Sequence, residues 1–228
     1  MAAAPTVAER ALEILRNEAR PLRASEFARH GIGRVALFRL ARNGVIERAG
    51  AGVYRLPDFT SVHADWAALS LRHPESLICT VSAASFHRTT QELPMAIHVA
   101  FPHGRGTAKA TASFPVAVNP HYWRARRFPQ AFTLGVEVHL IDNVPVRITD
   151  PERTLVDMFR FSSANPAMQD DLAHVDTETF LDCLRRTVSR PGFDAGRLDR
   201  YVEAAGVGRE ITPYLQTAYF AMSDFPSP

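Results

Sequence analysis

The chain has 228 residues, of which 46% are hydrophobic and 22% charged, and its formal net charge is +2. These values exclude an intrinsically disordered chain, and no run of about 18 apolar residues predicts a transmembrane helix. Two cysteines are too few for a disulfide framework, so we expect reduced, buried thiols in a cytoplasmic protein.

Positive charge is concentrated at the N-terminal end of the chain. Residues 1–60 contain ten arginines and six acidic residues, whereas the rest of the chain has a small acidic excess. Such an asymmetry is typical of a chain that carries a nucleic-acid-binding segment.

Two helices are predicted at the start of this segment. Thr6 is a suitable N-cap for the first one, "TVAERALEILRNEA", whose apolar face contains Val7, Ala11, Leu12 and Leu15. The stretch "RASEFARHGI" predicts a shorter helix that buries Phe27 and Ala28 and ends at Gly31.

The third predicted helix, in "GRVALFRLARNG", carries arginines on its outer face. Its buried stripe consists of Leu37, Leu40 and Ala41, with Val35 at the margin. The helix ends at Asn43-Gly44. The following "VIERAGAGVYRL" predicts two short strands, 45–49 and 53–56, joined by a turn that contains glycine.

Three helices followed by a hairpin is the order of a winged helix-turn-helix domain, which we place at residues 1–58. In that architecture the third helix enters the DNA major groove and the hairpin meets the backbone or the minor groove. A solvated arginine face without a ligand is the alternative. The residues predicted to bind double-stranded DNA are Arg34, Phe38, Arg39, Arg42, Arg48 and Arg55.

Residues 59–228 are predicted to form a larger α+β domain with early strands and late helices. A connecting helix, "SVHADWAALSLRHP", places Val62 and Trp66 on one side, and Asp142-Asn143 predicts a tight hairpin turn. The other predicted elements are strands at 76–81, 95–101, 114–118, 135–142 and 144–149, a helix at 82–90, and helices at 177–189, 194–205 and 209–222, the last with Pro213 in its first turn.

The stretch "TDPERTLVDMFRFS" predicts a well-specified helix. Asp150 can cap it, Pro151 suits its first position, and Arg153 and Asp157 lie one turn apart and can pair. Together with Glu152 these charges could be a catalytic cluster, but we favour a structural role because a buried charge needs such partners.

A second candidate surface is an aromatic and basic patch, which consists of Tyr122, Trp123, Arg124, Arg126 and Arg127. Such residues can stack on unpaired bases, form a protein-binding surface, or simply pack. The nine histidines have no metal-ligand spacing, and no phosphate-binding loop or nucleophile elbow is present. We therefore expect no catalytic residue, no metal and no cofactor.

The segments "LFRLARNGVIERAGAGVYRL", "ICTVSAASFHRTTQELPMAIHVAFP" and "IDNVPVRITDPERTLVDMFRF" resemble the AbiEi-type antitoxins of type IV, or abortive-infection, toxin–antitoxin systems. The resemblance implies a transcriptional repressor that binds its own operon promoter. It also implies an antitoxin that counteracts a cognate nucleotidyltransferase toxin, with or without direct contact. A nuclease-like enzyme targeted by a winged helix, and a plain regulator without a toxin partner, are the alternatives.

Overall fold

The computed structural model describes residues 4–102, 114, 117–122, 128–167 and 175–223. Among these, one compact unit comprises the residues up to Ser76, then Phe114, 117–118 and Val138–Arg147, and a second unit comprises the others. The predicted domain boundaries, 1–58 and 59–228, stay a prediction.

The first helix, α1 (Val7–Glu18), begins where the sequence predicts. Thr6 Oγ1 accepts a hydrogen bond from the Glu9 amide at 3.2 Å, and Glu9 Oε2 accepts one from the Thr6 amide at 2.7 Å. This reciprocal capping box satisfies amides that have no partner inside the helix. Ala11 and Leu15 are buried, whereas Val7 is 45% exposed because it lies at the open end of the first turn.

Two further helices and a three-stranded sheet complete the winged helix-turn-helix, which confirms the predicted fold. The elements are β1 (Leu22–Arg23), α2 (Ala24–Arg29), α3 (Arg34–Arg42), β2 (Glu47–Gly50) and β3 (Val53–Arg55). The sheet order is β1-β3-β2, and β1, which the sequence does not predict, pairs antiparallel with β3. Phe27, Leu37, Ile46 and Tyr54 are among the residues of its core.

Two inward-facing predictions in this unit are wrong. Ala28 is exposed, because α2 is only six residues long and turns Ala24 and Phe27 inward instead. Val62 is 93% exposed, because the helix that follows it, α4 (Ala64–Arg72), begins two residues later; Trp66, which was predicted on the same side, is buried.

A five-stranded sheet has the order β6-β5-β4-β8-β7. The predicted strand at 76–81 is only β4 (Leu77–Ile78), since Thr80 already begins α5 (Thr80–Phe86). The other strands are β5 (Ile97–Phe101), β6 (Val118–Tyr122), β7 (Val136–Ile141) and β8 (Val144–Thr149). The predicted strand at 114–118 lies largely outside the described residues.

The hairpin of β7 and β8 turns at Asp142 and Asn143, with φ angles of 50° and 57°. Two consecutive left-handed residues define the tight turn that the sequence predicts. Apolar and polar residues alternate in the sequence "GVEVHLID", which predicts two faces for β7. The apolar face is the exposed one, with Val138 63% and Leu140 71% exposed.

The described part of the chain contains four late helices, as predicted, and they contribute to an aromatic core. They are α6 (Pro151–Arg160), α7 (Thr177–Ser189), α8 (Ala195–Ala205) and α9 (Gly208–Ser223). Phe159, Phe180 and Tyr214 pack together with ring centroids 5.3–5.8 Å apart. Pro213 is the sixth residue of α9 and so lies beyond the first turn in which it was expected.

Both cysteines are buried free thiols in the second unit. Burial raises the pKa of the Cys183 thiol to about 11 and holds the pKa of Cys79 well above its ordinary value. Among the described residues, none of the helices combines the length and the apolar composition that a membrane span requires.

Candidate nucleic-acid interface

One face of α3 is buried and the other is exposed and basic. Leu37 is fully buried, whereas Arg34, Arg39 and Arg42 are exposed. Among the described residues, no carboxylate forms an ion pair with these three arginines. Their guanidinium groups are therefore available to phosphate or base acceptors.

The turn between α2 and α3 fixes the direction of α3. Gly31 has a φ of +73°, a conformation that favours glycine, and the Ile32 amide donates to the Phe27 carbonyl at 3.0 Å. Ile32 is buried, and the Arg10 guanidinium on α1 donates to the His30 carbonyl. The arginine face of α3 thus stands on a turn that contacts α1 as well as α2.

The hairpin of β2 and β3, the wing, carries two arginines with different surroundings. Arg48 is exposed, and its Nε donates to the Gly50 carbonyl at 3.1 Å. Arg55 is only 15% exposed and pairs with Glu47 at 2.7 Å and Asp65 at 3.2 Å. Two carboxylates already neutralise Arg55, so the exposed arginines of the predicted DNA-binding set are Arg34, Arg39, Arg42 and Arg48.

Phe38 is 56% exposed on the same face, as the sequence predicts, and Val35 is 67% exposed beside it. Val35 is not among the residues predicted to bind DNA. The available signal was its position, since residues 35, 38, 39 and 42 follow the spacing of one helix face.

The aromatic and basic patch falls mostly outside the described residues. Tyr122 ends β6, and the positions of Trp123, Arg124, Arg126 and Arg127 are not among those that the structure describes. The three interpretations given for this patch stay predictions.

The predicted pair on α6 forms and is completely buried. Arg153 Nε donates to Asp157 Oδ1 at 2.9 Å, and its two terminal nitrogens donate to the carbonyls of Leu134 and Ala131 at 2.6 and 3.0 Å. The guanidinium also lies 4.2 Å from the ring centroid of Phe128. These contacts join α6 to the segment before β7.

Asp150 and Glu152 anchor the start of the same helix. Asp150 Oδ1 accepts from the Arg153 amide at 2.8 Å, and its Oδ2 accepts from the Tyr201 hydroxyl at 2.6 Å. Glu152 Oε1 accepts from Arg190 at 2.5 Å. Burial raises the pKa of Asp157 to about 6, and its contact with Arg153 opposes that shift. Asp150 is therefore bonded through both carboxylate oxygens, whereas Glu152 Oε2 and Asp157 Oδ2 are buried without a hydrogen-bond partner in the described part of the chain.

A polar cluster in the second unit was not predicted. The Thr80 hydroxyl lies 3.0 Å from His98 Nδ1 and 3.2 Å from His121 Nε2, and Thr80 has a φ of +45°. A hydroxyl beside an imidazole can act as a nucleophile, but these side chains are at most 6% exposed. Sequence separations of 18 and 41 residues left no local signal for it.

Within the described ranges, no group of three or more His, Cys, Asp or Glu side chains could hold a metal ion. The arrangement with the clearest chemistry is the arginine face of α3 together with Arg48. It can donate hydrogen bonds to phosphates and to base edges of a duplex.

Residues 9–57 match the family model described as "Transcriptional regulator, AbiEi antitoxin". This match confirms the resemblance for the segment that runs from α1 through β3, and it supports a role in transcriptional regulation. No curated protein matches the chain.

Among solved structures, the chain is similar to the RV2827C protein from Mycobacterium tuberculosis. The two share 16% identity and a TM-score of 0.59, and the likeness covers 95% of this chain and 78% of that one. At this identity the similarity concerns the fold alone.

Proposed function

We propose that this chain is a transcriptional repressor and antitoxin of the AbiEi kind, which binds the promoter of its own operon and counteracts a cognate nucleotidyltransferase toxin in the cytoplasm. It acts by binding double-stranded DNA, without catalysis and without a cofactor. The observation that carries the proposal is the exposed arginine face of α3, which lies within the segment matched by the regulator family.

The physical argument for DNA binding is that an arginine face borne by a helix fits the major groove. The groove is about 12 Å wide and admits a helix, and an arginine fork can pair with both acceptors of a guanine. Arg48 on the wing would contact the adjacent backbone. Arg55 is left out of the proposed binding set because Glu47 and Asp65 hold its guanidinium.

The experiment is a mobility-shift titration of the full chain with the DNA upstream of its own gene. We expect a specific complex whose affinity falls as the salt concentration rises, because each phosphate contact releases counterions. The triple variant R34A/R39A/R42A should lose the complex. A matched control, R16A/R72A/R200A, removes three exposed arginines from other helices and should retain it. Specific DNA binding by R34A/R39A/R42A would refute the proposal.

The antitoxin part rests on the resemblance and on the description of the family that matches residues 9–57. It is tested by co-expression with the cognate nucleotidyltransferase that the proposal expects to be encoded beside this gene, placed under an independent promoter. The wild-type chain should restore growth, and R34A/R39A/R42A should restore it as well if the second unit provides the antitoxin activity. Growth arrest in both cultures would contradict the antitoxin assignment and leave the repressor assignment standing.

A further inference from the structure

Two large apolar side chains are exposed in the middle of the basic face of α3. Val35 is 67% exposed and Phe38 is 56% exposed, while the neighbouring Leu37 is fully buried. Residues three positions apart on a helix are surface neighbours, with about 5–6 Å between their Cβ atoms. Val35 and Phe38 therefore form one continuous feature, the Val35–Phe38 patch.

Arginines surround this patch on the same helix face. Arg39 and Arg42 follow Val35 by four and seven positions, and Arg34 precedes Phe38 by four, so every arginine lies within one or two turns of an apolar neighbour. Arginine and aromatic side chains also occur together at protein interfaces. A duplex surrounds its groove with phosphates, and this matches a ring of positive charge.

We propose that the Val35–Phe38 patch binds the C5-methyl groups of thymines in the major groove, so that Val35 and Phe38 determine which operator bases are recognised. Thymine carries the apolar group that a standard base pair presents in that groove, and apolar side chains are its usual contacts. The inference rests on the proposed function, because it requires α3 to enter the groove.

The geometry also limits where these thymines lie. Val35 and Phe38 are the second and fifth residues of α3, in the half of the helix whose side chains meet base edges in helix-turn-helix complexes. A Cβ separation of about 5–6 Å spans one or two base-pair steps of about 3.4 Å. The two methyl groups therefore belong to thymines no more than about two base pairs apart.

The test replaces thymine by uracil, which removes the methyl group and keeps every hydrogen-bonding atom. Duplexes that the full chain selects from a random-sequence library are resynthesised with deoxyuridine in place of thymidine, one position at a time. Each buried methyl contributes like one CH₂ group, so loss of a contacted methyl should weaken binding about fourfold. We expect this loss at one or two neighbouring positions, and none at thymines outside the footprint.

The variants identify which side chain contacts which methyl. V35A should bind the duplex with the thymine that Val35 contacts and its uracil counterpart equally well, because the contact with the methyl group is gone. F38A should do the same at the thymine that Phe38 contacts. The control R39A should weaken binding to both duplexes and keep the fourfold ratio. All three side chains are exposed, so thermal melting should show the same folded state for each variant.

The outcomes separate this inference from the proposed function. Selection of tight-binding duplexes that tolerate uracil at every position would overturn the inference and leave DNA binding intact. A fourfold ratio that persists in both V35A and F38A would overturn it as well. Failure to select any duplex would overturn both the inference and the proposed function.

Discussion

Gly135 is the position at which a single methyl group should be least tolerated. It precedes β7 with a φ of +64°, and a Cβ built there would lie 2.6 Å from Arg153 Cβ and 2.9 Å from Tyr201 Cζ. The Leu134 carbonyl, one residue earlier, accepts a hydrogen bond from Arg153 at 2.6 Å. Glycine is thus what allows the backbone to lie against the Arg153 side chain.

The cost of G135A has two parts. A left-handed conformation costs an alanine about 1–2 kcal/mol relative to glycine. Relieving the contacts with Arg153 and Tyr201 must shift packed side chains, and overpacking of this kind costs about 1–3 kcal/mol more. The expected decrease in the free energy of unfolding is therefore about 2–5 kcal/mol.

G206A is a matched control that measures the cost of the left-handed conformation alone. Gly206 ends α8 in the same unit with a φ of +66°, and no atom lies within 4 Å of the position of its Cβ. Urea titrations of the two variants and the wild type, followed by fluorescence and circular dichroism, give the three free energies of unfolding. The free energy of unfolding should be about 1–2 kcal/mol lower in G206A than in the wild type, and lower still in G135A. Equal losses, within about 0.5 kcal/mol, would refute the steric argument.

Three other predictions follow from the surface, the core and the first helix. R39A should lower the slope of log affinity against log salt by about 0.9, whereas R55A should leave that slope unchanged, and salt titrations of DNA binding compare the two. The pKa of Asp157 is raised to about 6 from an ordinary value of 3.8. Between these pH values the folded state therefore holds a proton on Asp157 that the unfolded state has released. The resulting stabilisation of the folded state is fully present below about pH 4 and is lost as the pH rises through 6. The difference in stability between the wild type and D157N should change by about 2–3 kcal/mol across that window, and a constant difference in urea titrations at each pH would contradict the assignment. T6A should lower the free energy of unfolding by about 1 kcal/mol, and T6S, which keeps the hydroxyl, should restore most of it in the same assay.

Local sequence signals predicted those elements whose ends are specified by their own residues. Thr6 and Asp150 cap their helices, and Asp142-Asn143 adopts the left-handed turn that these residue types tolerate. The two-residue strand β1 was missed because it exists only through pairing with β3, whose residues lie about thirty positions further along the chain. Helix and turn chemistry is local, whereas strand pairing is not.

In the candidate site, too, local sequence predicted some features, whereas contacts between distant residues decided others. Periodicity correctly predicted which face of α3 would carry exposed arginines, because burial of Leu37 leaves the opposite face in solvent. It could not distinguish Arg48 from Arg55, since the partners of Arg55 come from Glu47 across the hairpin and Asp65 on α4. Likewise, alternation along β7 indicated two faces but not that Val138 would be on the uncovered one.

Chemical modification of the two buried thiols can measure how often the core of the second unit opens. Cys79 and Cys183 are shielded from solvent, and the raised pKa of each leaves little thiolate to react. An alkylating reagent can therefore modify them only during excursions in which the core around α5 and α7 separates. The rate of their modification reports how often that happens, without any label or added residue, and it can be followed with DNA present or absent.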